Sequence, residues 1–166
     1  MSSSMEKLAM DLQASMAASA GGRKERERWL HDLAALLETL DRYLAPLVEK
    51  GLAVTEATTL RMAEPDLGEY EAPARSAWVS SRGLRHLVRI EPRGAQVAGL
   101  VRAGGERITG VKGRVDLVCG PRRWALLRHG ASAWWIVPVG AGPSKKPLGE
   151  STFAAALRDL VASSEG

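Results

Sequence analysis

Six leucines, Leu30, Leu33, Leu37, Leu40, Leu44 and Leu47, follow one another at spacings of 3, 4, 3, 4 and 3. This heptad rhythm places them along one side of an α-helix. Trp29, Leu36 and Tyr43 repeat every seven residues beside that seam, so the apolar stripe is broader than a two-stranded coiled coil uses. Glu25, Arg28, Asp32, Glu38, Asp41 and Arg42 occupy the other side, which should stay wet. The pattern predicts a helix over 24–50. Pro46 should kink or restart it, because proline has no backbone hydrogen to donate, and Gly51 should end it. The seam covers about two and a half heptads, short of the three or four that mark a free-standing coiled coil. Packing on a sheet of the same chain and self-association therefore both stay open. Leu30, Leu33, Leu37, Leu40 and Leu44 are the candidate interface residues of the second case.

Ahead of the seam, residues 1–22 are rich in Ser, Ala and Met and end in Gly21-Gly22, which predicts a flexible arm. Met5, Leu8, Leu12 and Met16 fall at helical spacing, but a short helix with nothing covering it is marginal in water. After Gly51 the apolar period shifts toward two. A first strand is expected at 52–62. Residues 64–74, with two prolines and four acids, read as a surface loop. Further strands are expected at 76–81, 84–91, 95–103, 106–109, 112–119, 122–128 and 132–137, with glycine in nearly every turn. A second loop at 139–149 leads to a helix over 150–162 that carries Phe153, Leu157, Leu160 and Val161 on one face. Residues 164–166 should fray. The expectation is a single α+β domain over 23–163: a long N-terminal amphipathic helix, an antiparallel β-meander of about five to seven strands at 52–137, and a short C-terminal helix.

Composition narrows the class. The chain has 166 residues, 45% of them hydrophobic and 25% charged, as expected of one globular domain. One cysteine, Cys119, permits no intrachain disulfide, and a cytoplasmic location is the natural expectation. No stretch approaches the roughly 18 apolar residues of a membrane helix. Glu6 and Asp11 stand where a secretory signal would be apolar, so no membrane partner is expected.

The net charge of +4 is unevenly spread. Residues 76–128 carry eleven basic and three acidic side chains, net +8, whereas 1–50 and 51–75 are net −1 and −3. Such a basic region is the electrostatic footprint of nucleic-acid binding, although a solvated basic face is the plainer reading. The period-two pattern puts Arg85 and Arg89 together on one strand face, and Arg102, Arg114, Arg122 and Arg123 on or beside neighbouring strands. A sheet that binds single strands also needs exposed aromatics. Trp29 and Trp124 align with apolar neighbours and read as core. Trp134 and Trp135 are adjacent on a strand and must face opposite ways, so one of the two is an interface candidate.

Catalytic chemistry has little support. His31, His86, His129 and Cys119 lie at no metal-ligand spacing from one another. VGAGPSKKP (139–147) has glycine, serine and lysine but not the spacing of a phosphate-binding loop. No cofactor, metal or catalytic residue is assigned. The expected function is a non-catalytic protein–protein interaction or assembly module, docking on a partner or on itself through the leucine-rich helix or a sheet face. The alternative is a nucleic-acid-binding domain using the arginine-rich antiparallel sheet. The two separate on geometry: the second needs its arginines on one uncovered face with an aromatic among them.

Overall fold

The computed structural model describes residues 3–95, 101–103, 106–108, 110–130, 133–140 and 145–162. Its element order is α1 (Ser4–Glu49), β1 (Ala53–Glu64), β2 (Gly68–Ser81), β3 (Leu84–Gly94), β4 (Val101–Ala103), β5 (Glu106–Ile108), β6 (Arg114–Cys119), β7 (Arg122–Gly130), β8 (Ala133–Pro138), β9 (Lys146–Pro147) and α2 (Glu150–Ala162). Seven strands form one antiparallel sheet in the order β1-β2-β3-β6-β7-β8-β9, and β4-β5 is a separate hairpin between β3 and β6. The α+β meander read from the sequence is the fold. No helix among the described residues is long and apolar enough to cross a membrane.

The first helix departs from the expectation at its start and at Pro46, and ends where expected. It starts at Ser4, because Ser3 caps it: the Ser3 hydroxyl accepts the Glu6 N–H at 3.1 Å and the Glu6 carboxylate accepts the Ser3 N–H at 3.3 Å. The expected break at Gly21-Gly22 is absent. Gly22 is instead a close approach, since the carbonyl of Asp66, at the tip of the β1-β2 hairpin, occupies the place a Cβ would take. Pro46 does not break the helix either. It sits exposed in the last turn, so only one bond, to Arg42, is lost. The stop comes at Gly51, in the left-handed region (φ 71°), where the Gly51 N–H reaches the Val48 carbonyl and the Leu52 N–H the Leu47 carbonyl.

The segment 64–74 is also a correction, being strand rather than loop. Only three residues turn the chain, and β2 then pairs with β1 through Glu64↔Gly68 up to Ala53↔Val79. From Gly68 to Ala74 β2 has β1 alone as neighbour, because its pairing with β3 begins at Arg75↔Ile90. An edge of this kind accommodates Pro73.

Both helices lie on one face of the sheet. Leu33, Leu37, Leu40 and Leu44 of α1 are at most 2% exposed, and they pack with Ala77, Val79, Val88, Ile90, Val115, Leu117, Leu126 and Ile136. Phe153, Ala156, Leu157, Leu160 and Val161 close the same core from α2. Burying a leucine contributes about 1.5–3 kcal/mol, so this stripe is a main source of stability. Trp29 is reached from two distant strands: its Nε1 donates to the Tyr70 hydroxyl of β2 at 3.1 Å, and its ring lies 6.2 Å from that of Trp134 on β8. Three strands separate β2 from β8, so the sheet is coiled around the helix. Arg128 of β7 pins the helix further by a 2.6 Å ion pair with Asp32. Asp32 was expected on the wet side and is buried by this pairing.

A smaller cluster sits on the opposite face, where Ile108 and Val111 pack on Ala125, Leu127, Val137 and Trp135. The β4-β5 excursion thus covers one end of the outer face.

Candidate functional site

The uncovered part of the outer face is built by strand alternation. Register carries one face across the sheet through Val54↔Trp78↔Leu87, then Glu56↔Ser76↔Arg89↔Val118↔Arg123, then Glu91↔Asp116↔Ala125. Arg85, Arg89, Glu91 and Arg93 alternate along β3, Arg114 and Asp116 along β6, and Arg123 lies on β7. Five arginines therefore share this face with the carboxylates Glu56, Glu91 and Asp116. Trp78, half-buried, lies among them, with the Arg85 guanidinium 5.5 Å from its ring centroid, a cation–π contact.

At the centre is Asp116, which is 0% exposed. Its Oδ1 accepts the Arg114 Nε–H at 2.7 Å. Its Oδ2 faces Arg93 Nε at 3.5 Å and Arg123 Nη1 at 3.4 Å. Burying an unpaired carboxylate is prohibitive, so the arginines are what permit Asp116 to sit there. The reverse also holds, because the carboxylate draws three guanidinium groups from three strands toward one point. Glu91, directly opposite Asp116 on β3, pairs instead with Arg89 at 3.4 Å.

Of the six arginines singled out from the sequence, Arg85, Arg89, Arg114 and Arg123 come together here. Arg122 does not. It lies one residue out of phase, on the helix side, 3.6 Å from Asp159 of α2. Arg102 lies on β4, and its side chain falls outside the described residues. Arg93, Asp116 and Trp78 were missed, although strand phase alone puts the first two on this face. Arg93 continues the Arg85, Arg89, Glu91 phase beyond the expected strand end at 91, and Asp116 shares the phase of Arg114.

Comparison with protein-family models, curated proteins and solved structures found no match to this chain. The site is read from its own chemistry.

The candidate interface residues divide differently. The leucine seam is core: Leu33, Leu37, Leu40 and Leu44 face the chain's own sheet, and Leu30 packs partly buried beside them. As an interface it is corrected, because the surface it would offer is already covered. Trp134 points inward, 8% exposed. Trp135 points outward, stacked on His129 at 4.0 Å between ring centroids, with Lys145 Nζ 4.3 Å from its centroid. His129 lies on β7, just beyond the strand end expected at 128. Cys119 is buried and burial pushes its thiol pKa up, which disfavours the reactive thiolate.

Hollows lie elsewhere on the molecule, among them the following two. One of about 230 Å³ lies under α2 between Trp124, Ile136, Pro138, Lys146 and Thr152. An open groove of about 1070 Å³ runs between α1 and the end of β7, bordered by Lys24, Glu25, Glu27, Arg28, His31 and Lys112. Basic and acidic side chains both line that groove, so no single ligand charge is favoured. Among the described residues no group of three His, Cys, Asp or Glu side chains is gathered to hold a metal ion.

Proposed function

We propose that this chain is a nucleic-acid-binding domain whose outer sheet face grips the backbone of a single strand. The observation that carries the reading is the convergence of Arg85, Arg89, Arg93, Arg114 and Arg123 with Trp78 on one face, opposite the helices. Single-strand binding combines cations that track phosphates with aromatic rings that stack on bases. Trp78 between Arg85 and Leu87 meets both requirements in one place. The test is fluorescence anisotropy with a labelled single-stranded oligonucleotide over a salt series. Binding should weaken as salt rises, with a slope of about 0.7 per phosphate contacted. Replacing Arg85, Arg89 and Arg123 together by glutamine should flatten that slope, and Trp78→Ala should lower affinity at every salt concentration. An oligonucleotide that does not bind at low salt overturns the reading.

One observation favours a second reading, association with a second copy of this chain. Residues 3–14 are exposed throughout, and Met5, Leu8 and Leu12 lie along one side of the helix at 71%, 46% and 56% exposure. With the leucine seam consumed by the core, this start of α1 is the surface through which the assembly role would run. Light scattering on the wild-type chain and on Leu8→Glu distinguishes it: a dimer that falls to monomer supports association, and a wild-type monomer rules it out.

A further inference from the structure

We infer that Arg93 and Arg123 form a phosphate clamp positioned by Asp116. The inference rests on the nucleic-acid reading only for the source of the phosphate. Arg114 makes the one short contact to the carboxylate, 2.7 Å, which lies in the range of a charge-assisted hydrogen bond. Arg93 and Arg123 stand at 3.5 and 3.4 Å, beyond that range, so Asp116 orients them without saturating their donors. Their side chains are 49% and 41% exposed, and Asp116 is fully buried beneath them. Both approach the same oxygen, so the two nitrogens lie within about 7 Å of each other. A phosphate group accepting a hydrogen bond of about 2.9 Å from each side spans that separation. Charge points the same way. One carboxylate among three guanidinium groups leaves an excess of positive charge over the site, and Glu91 is engaged by Arg89. Strand spacing supplies the geometry: β3 and β7 flank β6, so Arg93 and Arg123 lean inward over Asp116 from either side.

The experiment follows the arginine Nε–Hε signals of the nitrogen-15-labelled full chain by NMR, first with inorganic phosphate and then with a short single-stranded oligonucleotide. Variants are Arg93→Gln, Arg123→Gln and both together; each keeps the 2.7 Å Arg114 contact to buried Asp116, and its urea midpoint is measured to establish that it folds. The Arg93 and Arg123 signals should shift saturably with phosphate and not with chloride at equal ionic strength. Each single variant should lower oligonucleotide affinity about three- to tenfold and reduce the salt slope by about 0.7. Asp116→Asn should abolish the phosphate response while both arginines are present, the mark of a positioning residue. If that variant does not fold, the arginine variants still decide. Signals that ignore phosphate overturn the clamp. So does an oligonucleotide that binds the double variant as it binds wild type, in which case the face reading stands without the clamp. Saturable phosphate binding with no oligonucleotide binding leaves the clamp standing as a site for a free phosphate group and sinks the face reading instead.

Discussion

Gly113, just ahead of β6, lies against the six-membered ring of Trp29. A methyl group at 113 would stand 3.0 Å from Cε3 and closer still to Cζ3. Trp29 is fully buried, held by Tyr70 on one side and near Trp134 on the other, so the ring has nowhere to retreat. Gly113→Ala should therefore destabilise the fold by about 1–3 kcal/mol, the usual effect of overpacking a filled core. Urea denaturation reads the change. A variant as stable as wild type would mean that the ring shifts freely.

Leu37 tests what the leucine seam is for. It is 0% exposed and faces the sheet, so Leu37→Ala should cost about 2–5 kcal/mol. Leu37→Glu should fail to give a cooperative unfolding transition. The same substitution in an intermolecular seam would instead yield a folded chain of smaller size, which size-exclusion chromatography with light scattering would reveal.

The helix, the meander and the closing helix were legible because each carries a strong local period. Leu30 to Leu47 repeat at 3 and 4, and Leu84 to Ile90 alternate at 2. The half of β2 at 68–74 was not legible because composition spoke against it, although 76–81 was read as strand. Glu69, Glu71 and Pro73 look like a loop, yet Tyr70, Ala72 and Ala74 alternate with them and are the buried positions. The alternation was the better guide, since a ribbon with one free edge tolerates acids and proline. Half of the site was readable on the same basis. Arg85, Arg89, Arg114 and Arg123 follow strand phase, whereas Arg122 looked equivalent to Arg123 and sits on the helix side. Asp116 was hard to single out because nothing local marks an aspartate as a meeting point for arginines from three strands. That property belongs to the register between β3, β6 and β7.

Arg128 and Asp32 join β7 to α1 with both side chains about nine-tenths buried. Their removal should be asymmetric. Arg128→Met leaves the Asp32 carboxylate buried without its cation, at a cost of about 3–5 kcal/mol. Asp32→Asn leaves Arg128 with the Lys112 carbonyl at 3.1 Å and the Trp29 ring at 5.8 Å, so its cost should be smaller, about 1–3 kcal/mol. Equal losses in urea denaturation would show that these secondary contacts contribute nothing.

Tyr70 should make the fold sensitive to alkali. Its hydroxyl accepts from Trp29 Nε1 and donates to the Glu64 carboxylate. Burial first, and then the hydrogen bond and negative charge of Glu64, raise its pKa well above the ordinary 10.0. In the unfolded chain this phenol loses its proton near pH 10, whereas in the folded chain it keeps it. Above pH 10 the unfolded state therefore binds fewer protons than the folded state, and stability must fall as pH rises. One such group contributes a slope of up to about 1.4 kcal/mol per pH unit. Below pH 10 its contribution is fully present and flat. Tyr70→Phe should start less stable by about 1–3 kcal/mol, because Glu64 loses a buried donor and Trp29 an acceptor. It should then lose less stability than wild type between pH 10 and 11. Every other side chain is common to the two proteins, so the difference between the two curves isolates Tyr70. Urea midpoints at pH 8, 10 and 11 measure it, and parallel curves would show that the phenol ionises alike in both states.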